Sequence, residues 1–142
     1  MNLEIIGEKI NIDIDNISNV MDFEVSTSYV QFIKEYGYGV LSEKVEYLNV
    51  ISPDKDFFEN NFINDIDLWE WKNSQQKDAI LDSMLIAHTF DGEHVYLTNH
   101  SFMILPRFND PIELATFDEV LQYYIGVYDM KETIFYKPHQ GY

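Results

Sequence analysis

The sequence predicts a single α+β domain in which a mostly antiparallel meander sheet is flanked by helices. Three observations indicate this fold class. Two segments place apolar residues at the helical spacing i, i+3, i+4 and i+7. Runs of strand-forming residues lie between these segments, and an Asp-Gly pair, a strong hairpin signal, joins two of the runs. The 142 residues are the usual size of one domain, and no Pro/Gly/Ser linker divides them.

The first helix is predicted from STSYVQFIKEYG at residues 26–37. Ser28 and Gln31 have the spacing of a capping box, which begins a helix. Gly37 stands where a helix ends in a residue of positive φ. The buried stripe is expected to be Tyr29, Phe32, Ile33 and Tyr36.

The last helix is predicted from TFDEVLQYYIG at residues 116–126 by the same reasoning. Thr116 and Glu119 form the capping box, and Gly126 is expected to end the helix. Residues 128–142 are expected to be an irregular tail that packs back or adds an edge strand. The buried stripe is expected to be Phe117, Val120, Leu121 and Tyr124.

Between these helices the patterns are shorter. KVEYLNVIS at 44–52 predicts a strand, as does KINIDID at 9–15 near the N-terminus. Ser52 and Pro53 have the cap and first-position chemistry of a helix start. Helical turns are expected at Gln75–Leu81. Three strand-like runs follow at residues 84–90, 93–98 and 101–106, and they form the meander.

The hairpin AHTFDGEHVYLTNH at residues 87–100 contains three of the four histidines. A two-residue Asp91-Gly92 loop would pair His88 with Val95 and place His88 and His94 on opposite faces of the sheet. A three-residue loop with Gly92 at a bulge would instead place His88 opposite His94. Because zinc needs a third and usually a fourth ligand, we predict no metal site and no cofactor here.

The motifs of common enzyme classes are absent from the sequence, including the nucleophile elbow, the HExxH zinc motif, the Walker A loop and the dinucleotide-binding glycine motif. The chain contains no cysteine, which excludes disulfides and thiolate chemistry. We therefore expect a protein that is not an enzyme and that has no catalytic residues.

Charge is the strongest compositional signal, because 25 acidic residues stand against 9 basic ones for a net charge of −16. Such a chain repels phosphate backbones, so direct binding to nucleic acid is not expected. An acidic surface instead steers the protein toward a basic partner. The alternative is that the charge serves solubility alone.

A cytoplasmic location without membrane contact is expected. The N-terminal MNLEIIGEKI lacks the basic-then-apolar order of a signal peptide. No apolar run approaches the roughly 20 residues of a membrane-spanning helix.

Three segments in this order resemble the SUKH superfamily: VSTSYVQFIKEYGYG, MLIAHTFDGEHVYL and ATFDEVLQYYI. This superfamily includes a eukaryotic cell-wall-synthesis regulator domain and many bacterial immunity proteins. The resemblance implies one SUKH-like domain over residues 1–142, with a core at about 16–126 and the tail at 128–142. Val25-Ser26 stands where the family often has Leu-Pro, so the match is loosest there.

The resemblance also implies a function in binding, with no shared catalytic residues. In this reading the chain is an immunity protein or antitoxin that neutralises a cognate bacterial toxin, often a nuclease. A regulatory scaffold domain in a signalling or cell-wall pathway is the alternative, and a small metal-dependent enzyme using His88 and His94 is a third possibility. The oligomeric state stays open.

The stretch DKDFFENNFINDIDLWEW at residues 54–71 combines acidic and aromatic side chains, as interfaces with a polar rim do. A solvated face over ordinary core aromatics is the alternative, in which at least one tryptophan is buried. The predicted partner-binding residues are Asp54, Asp56, Glu59, Asp65, Asp67, Trp69, Glu70 and Trp71.

Overall fold

The computed structural model describes residues 4–6, 25–41, 47–99, 101–106, 110–128 and 133–135, and the structural statements below concern these residues. They form an α+β fold on one mixed sheet, as the sequence predicts. The sheet order is β1-β8-β2-β3-β4-β5-β6-β7, and every neighbouring pair is antiparallel except β1 with β8. The strands are β1 (Glu4–Ile6), β2 (Gly39–Leu41), β3 (Leu48–Lys55), β4 (Met84–Thr89), β5 (His94–Leu97), β6 (Phe102–Leu105), β7 (Ile112–Leu114) and β8 (Thr133–Phe135).

Helices cover both faces of this sheet. Two of them, α1 and α4, pack on one face, and the segment between β3 and β4 packs on the other. That segment contains two α-helices and a short 3-10 helix between them. The helices are α1 (Thr27–Tyr36), α2 (Phe57–Phe62), the 3-10 helix (Ile63–Leu68), α3 (Ser74–Leu81) and α4 (Phe117–Tyr128).

The first core lies between the sheet and the helices α1 and α4. Both predicted helical stripes are confirmed, since each of their residues is buried. Phe117 is the central contact: its ring lies 4.8 Å from Phe32, 5.4 Å from Tyr29 and 5.6 Å from Phe102, measured between centroids. The aromatic side chains of the two helices therefore interlock over β6.

The ends of α1 confirm one prediction and correct another. Gly37 ends the helix with a φ of 75°, as predicted. Ser28 and Gln31 form no capping box, because the helix starts earlier, with Ser26 as its N-cap. The hydroxyl of Ser28 is used elsewhere, since its Oγ accepts a 3.0 Å hydrogen bond from the backbone N–H of Phe117. A side chain of α1 thus caps the first turn of α4.

In α4 the predicted capping by Thr116 is confirmed, whereas the predicted end at Gly126 is wrong. The N–H of Glu119 donates to Thr116 Oγ1, and Thr116 Oγ1 donates to Glu119 Oε1, both over 3.2 Å. The helix continues past Gly126 to Tyr128. Gly126 is exposed, and a single glycine inside a helix lowers the helix's stability without ending it; Ile125 beside it packs against the first core.

The predicted helix start at Ser52-Pro53 is wrong, because β3 continues to Lys55. The pairing of β3 with β4 shifts register between Val50 and Asp54, and Pro53 lies in this irregular stretch. Proline lacks a backbone N–H and is tolerated in a strand at such an irregularity. The turn into α2 occurs at Asp56, which has a left-handed conformation with a φ of 60°.

Of the remaining predictions of secondary structure, some are confirmed and others are not. The meander β4-β5-β6 and the helical turns at Gln75–Leu81 are confirmed. Residues 9–15, predicted as a strand, lie outside the described residues. The region 128–142 is not wholly an irregular tail, because β8 lies inside the sheet between β1 and β2 and does not form its edge.

Candidate protein-interaction surface

The β4-β5 hairpin has a three-residue loop. The N–H of Thr89 donates to the carbonyl of Glu93 over 2.9 Å, and the N–H of Gly92 donates to the carbonyl of Thr89 over 3.2 Å. Gly92 has a φ of 88°, as a glycine bulge after a type I turn requires. Of the two loop lengths that the sequence left open, the three-residue loop is the one that forms, and His88 lies directly opposite His94.

A bulge in β4 determines which face His88 occupies. The pairing of β4 with β5 shifts between Leu85 and Ala87, so Ile86 and Ala87 both contribute to the first core. The alternation is thereby displaced by one residue, and His88 faces the opposite side from Ile86. In a strand without this bulge, His88 would share the face of Ile86. His94 lies on the face of Tyr96, and His88 lies on the same face.

The two imidazoles lie in a half-buried pocket beneath α2. His94 Nδ1 lies 3.1 Å from Tyr96 Oη, and the rings of Phe57 and Phe62 approach His94 to 5.5 and 5.6 Å. Asn49 Nδ2 donates to Nε2 of His88 over 3.4 Å. Burial lowers the pKa of His88, and burial together with the neighbouring His88 lowers the pKa of His94 to about 4. Both imidazoles are therefore neutral at neutral pH.

This histidine pair does not by itself make a metal centre. Among the described residues, no three His, Asp or Glu side chains come close enough to hold a metal ion. Zinc sites use three or four protein ligands, and His100 lies outside the described part of the chain. His88 is instead hydrogen-bonded to Asn49 and His94 to Tyr96, and the ring of His94 packs against α2.

The second core lies on this face and is built from the segment 54–71. Phe58 is fully buried at its centre, with ring centroids 5.4 Å from Trp69 and 5.8 Å from Tyr96. Ile80 of α3 and Leu85 of β4 complete the contact with the sheet. The aromatic residues of this segment therefore serve first to attach it to the sheet.

Both tryptophans act as anchors of the segment. Trp69 is 8% exposed, and its indole N–H donates to the carbonyl of Pro106 over 2.9 Å. Trp71 is half-buried and donates to the carbonyl of Ile66 over 2.6 Å. Their rings lie 6.2 Å apart. Of the predicted partner-binding residues, these two therefore hold the surface in place and present little area to a partner.

The acidic side chains face outward over the same layer. Asp54, Glu59, Asp67 and Glu70 are exposed. Asp56 and Asp65 are half-buried. Asp67 pairs with Lys77 at 2.6 Å, and within the described residues the other five carboxylates form no ion pair. The six predicted acids therefore all belong to the segment that covers the second core, and Lys55 is the only basic residue of that segment.

Two apolar side chains of the 3-10 helix were missed by the sequence reasoning. Ile63 is 42% exposed and Leu68 is 55% exposed, and they are the exposed large hydrophobic residues of the described chain. Ile63 and Leu68 are five residues apart, and a 3-10 helix rises about 2 Å per residue, so the two side chains lie about 10 Å apart along the helix. A 3-10 helix of six residues carries no 3.6-residue periodicity, so no signal in the sequence separated them from the buried Phe58 and Trp69. Ile63, Leu68 and the six acids are called the acidic surface below.

Two grooves lie in this part of the protein. The first, of about 730 Å³, includes Leu68 and Glu70 of the acidic surface and is also lined by Pro106, Asp110 and Ile112. We call it the Leu68 groove; Glu93 and Tyr123 also line it. The second, of about 300 Å³, lies between α3 and β7 and is called the Gln76 groove. Its lining consists of Lys72, Asn73, Gln75, Gln76, Ala79, Ser101 and Glu113.

Comparison with protein-family models, curated proteins and solved structures found no match for this chain. The resemblance to the SUKH superfamily therefore stays a prediction from the sequence. In the described part of the chain, every helix is too short or too polar to cross a bilayer.

Proposed function

We propose that this chain is a non-enzymatic binding protein that neutralises a cognate protein toxin, in the manner of the immunity proteins to which its sequence is similar. The observation that carries the proposal is the acidic surface. Exposed Ile63 and Leu68 lie among carboxylates that form, apart from Asp67, no ion pair within the described residues. Exposed apolar side chains with a polar rim are typical of binding surfaces.

The chemistry of the surface indicates a basic partner. A nuclease binds phosphates with Lys and Arg, so the region around its active site is positively charged. An acidic surface of similar extent competes for that region and blocks the substrate. Long-range attraction raises the association rate, and desolvated apolar contacts such as Leu68 lengthen the lifetime of the complex.

The sheet gives this surface the rigidity that tight binding needs. Trp69 and Phe58 attach the segment to β5 and β6, and the bond from Trp69 to Pro106 fixes the end of the 3-10 helix. A surface held in its bound shape loses little conformational entropy on association. The buried aromatics thus favour a preorganised binding face.

The test is capture of a partner from the native cells with tagged protein, followed by mass spectrometry and by co-expression of the captured protein. The surface variant is Glu59→Lys with Glu70→Lys, and the control is Glu35→Lys with Asp118→Lys, which changes the charge equally at exposed sites on α1 and α4. We expect one basic protein that arrests growth when expressed alone. Wild type and control should rescue growth, and the surface variant should not.

A partner retained equally by both double variants would contradict the placement of the surface. A captured protein that is harmless when expressed, or whose toxicity the chain leaves unchanged, would contradict neutralisation. Salt provides a further check, because association led by charge slows as ionic strength rises. A complex that forms at the same rate in low and high salt would contradict the electrostatic part.

A further inference from the structure

We propose that the outer edge of β7 is a second part of the partner site, where an extended basic segment of the partner adds to the sheet as a further strand. The inference rests on the proposed function, because it concerns how the same basic partner is held. It adds a mode of recognition, pairing of backbone groups, to the side-chain contacts of the acidic surface.

The topology leaves this edge available. β7 is the last strand of the sheet and pairs with β6 through Ile112, Glu113 and Leu114. No other strand of the described chain pairs with its outer side. An edge strand presents N–H and C=O groups that add a strand from another chain by ordinary ladder hydrogen bonds.

Each of the two grooves is lined in part by a residue of this edge. Glu113 pairs with Met103 of the second core, so its side chain lies on that face and lines the Gln76 groove. Ile112 pairs with Ile104 of the first core and lines the Leu68 groove. Side chains of an added strand alternate between the two faces of a sheet. Consecutive residues of the partner therefore lie in turn on the face of Glu113 and on the face of Ile112.

The negative charge of Glu113 favours a basic segment of the partner as the added strand and disfavours β7 of a second copy of this chain. In antiparallel pairing of two β7 strands about their middle residue, one Glu113 would lie directly opposite the other. Like charges in opposed positions destabilise a pair of strands. A lysine or arginine at that position in a partner reverses the sign of the interaction. Asp110 of the Leu68 groove favours the same charge.

The edge is continuous with the acidic surface. Leu68 and Glu70 belong to that surface and also line the Leu68 groove together with Ile112 of β7. A partner seated on the 3-10 helix therefore reaches β7 without leaving contact with the protein. One bound surface spans both features.

The experiment uses a peptide of about eight residues with alternating lysine and valine, a length typical of strands. Nitrogen-15 spectra and amide hydrogen exchange of the full chain are recorded with the peptide and with a glutamate-valine peptide of equal length. We expect the basic peptide to shift the amide signals of residues 112–114 and to slow their exchange, and the acidic peptide to do neither. Unchanged signals at 112–114, or equal responses to both peptides, would overturn the proposal.

A pair of variants separates this inference from the proposed function. Glu113→Lys should lower the affinity for the basic peptide by about tenfold or more, because it replaces an attraction with a repulsion. Glu35→Lys on α1 should leave this affinity unchanged. If Glu113→Lys leaves peptide affinity unchanged, the β7 inference fails. If the captured toxin is lost by the acidic-surface variant and held fully by Glu113→Lys, the proposed function stands and the inference fails. If the basic peptide binds β7 but the chain neutralises no toxin, the inference about β7 stands and the proposed function fails.

Discussion

His88 lies directly opposite His94 on the face of the sheet that α2 covers, and both imidazoles are half-buried there. The folded state lowers both pKa values, that of His94 to about 4. The unfolded chain has histidines of pKa about 6.5 and takes up protons first as the pH falls. Stability is therefore full above about pH 6.5 and decreases as the pH drops toward 4.

The first prediction follows from this pair. Lowering the pH from about 7 to about 5 should destabilise the wild type by about 1–2 kcal/mol more than His94→Gln, because glutamine does not titrate and solvent screening at this half-buried site reduces the full effect. Urea unfolding at the two pH values measures this difference. The control is the same substitution at another histidine, His139→Gln, which lies outside the described residues. An equal pH dependence in wild type and His94→Gln would contradict the prediction.

The second prediction concerns adjacent phenylalanines of α2. Phe58 is fully buried, whereas Phe57 is only half-buried. Phe58→Ala should lower the unfolding free energy by about 3–5 kcal/mol, as for other buried aromatics, and Phe57→Ala should cost clearly less. Urea denaturation followed by tryptophan fluorescence measures both, since Trp69 and Trp71 lie against Phe58. Equal costs would show that the second core is not centred on Phe58.

The third prediction concerns the cap that α1 provides for α4. Ser28→Ala removes the acceptor of the Phe117 N–H and should cost about 1 kcal/mol, the usual effect of losing a helix cap. Thr27→Ala, at the exposed neighbouring residue, keeps that bond and should be close to neutral. Thermal unfolding of the two variants provides the comparison. A Ser28→Ala protein as stable as Thr27→Ala would exclude the capping role.

The fourth prediction compares two glycines. Gly92 has a φ of 88°, and alanine there is strained, so Gly92→Ala should destabilise the protein by about 1 kcal/mol or more. Gly126 lies exposed in α4, where an added Cβ meets no atom within 4 Å. Gly126→Ala should therefore stabilise the protein by about 0.5–1 kcal/mol through helix propensity. Melting temperatures that move in the same direction for both would contradict this assignment.

The sequence predicted those parts of the fold in which one regular period holds over a whole element. The stripes of α1 and α4 begin with Tyr29 and Phe117, and each side chain in them is buried as the helical period requires. The meander followed from its strand-like runs and from the turn at Gly92. In these elements local propensity and tertiary packing favour the same conformation.

The parts that escaped prediction depend on single-residue irregularities. The bulge after Leu85 reverses the face of His88, and the register shift near Pro53 keeps β3 extended where the local chemistry favours a helix. For the acidic surface, the sequence located the charges but did not separate Trp69, which is buried, from Leu68, which is exposed. That difference arises from tertiary contacts with the sheet, which no local pattern encodes.

Strand β1 pairs, within the described chain, with β8 alone, and Glu4 is matched to Thr133. These partners stand near opposite ends of the sequence, so closing the loop between them is among the most entropically costly contacts of the fold. Synthesis proceeds from the N-terminus, and β1 therefore leaves the ribosome long before its partner exists. The meander and α4 have their partners earlier. This end of the sheet is consequently the last to assemble on a nascent chain, because a chain stalled before residue 133 has no β8 with which β1 can pair.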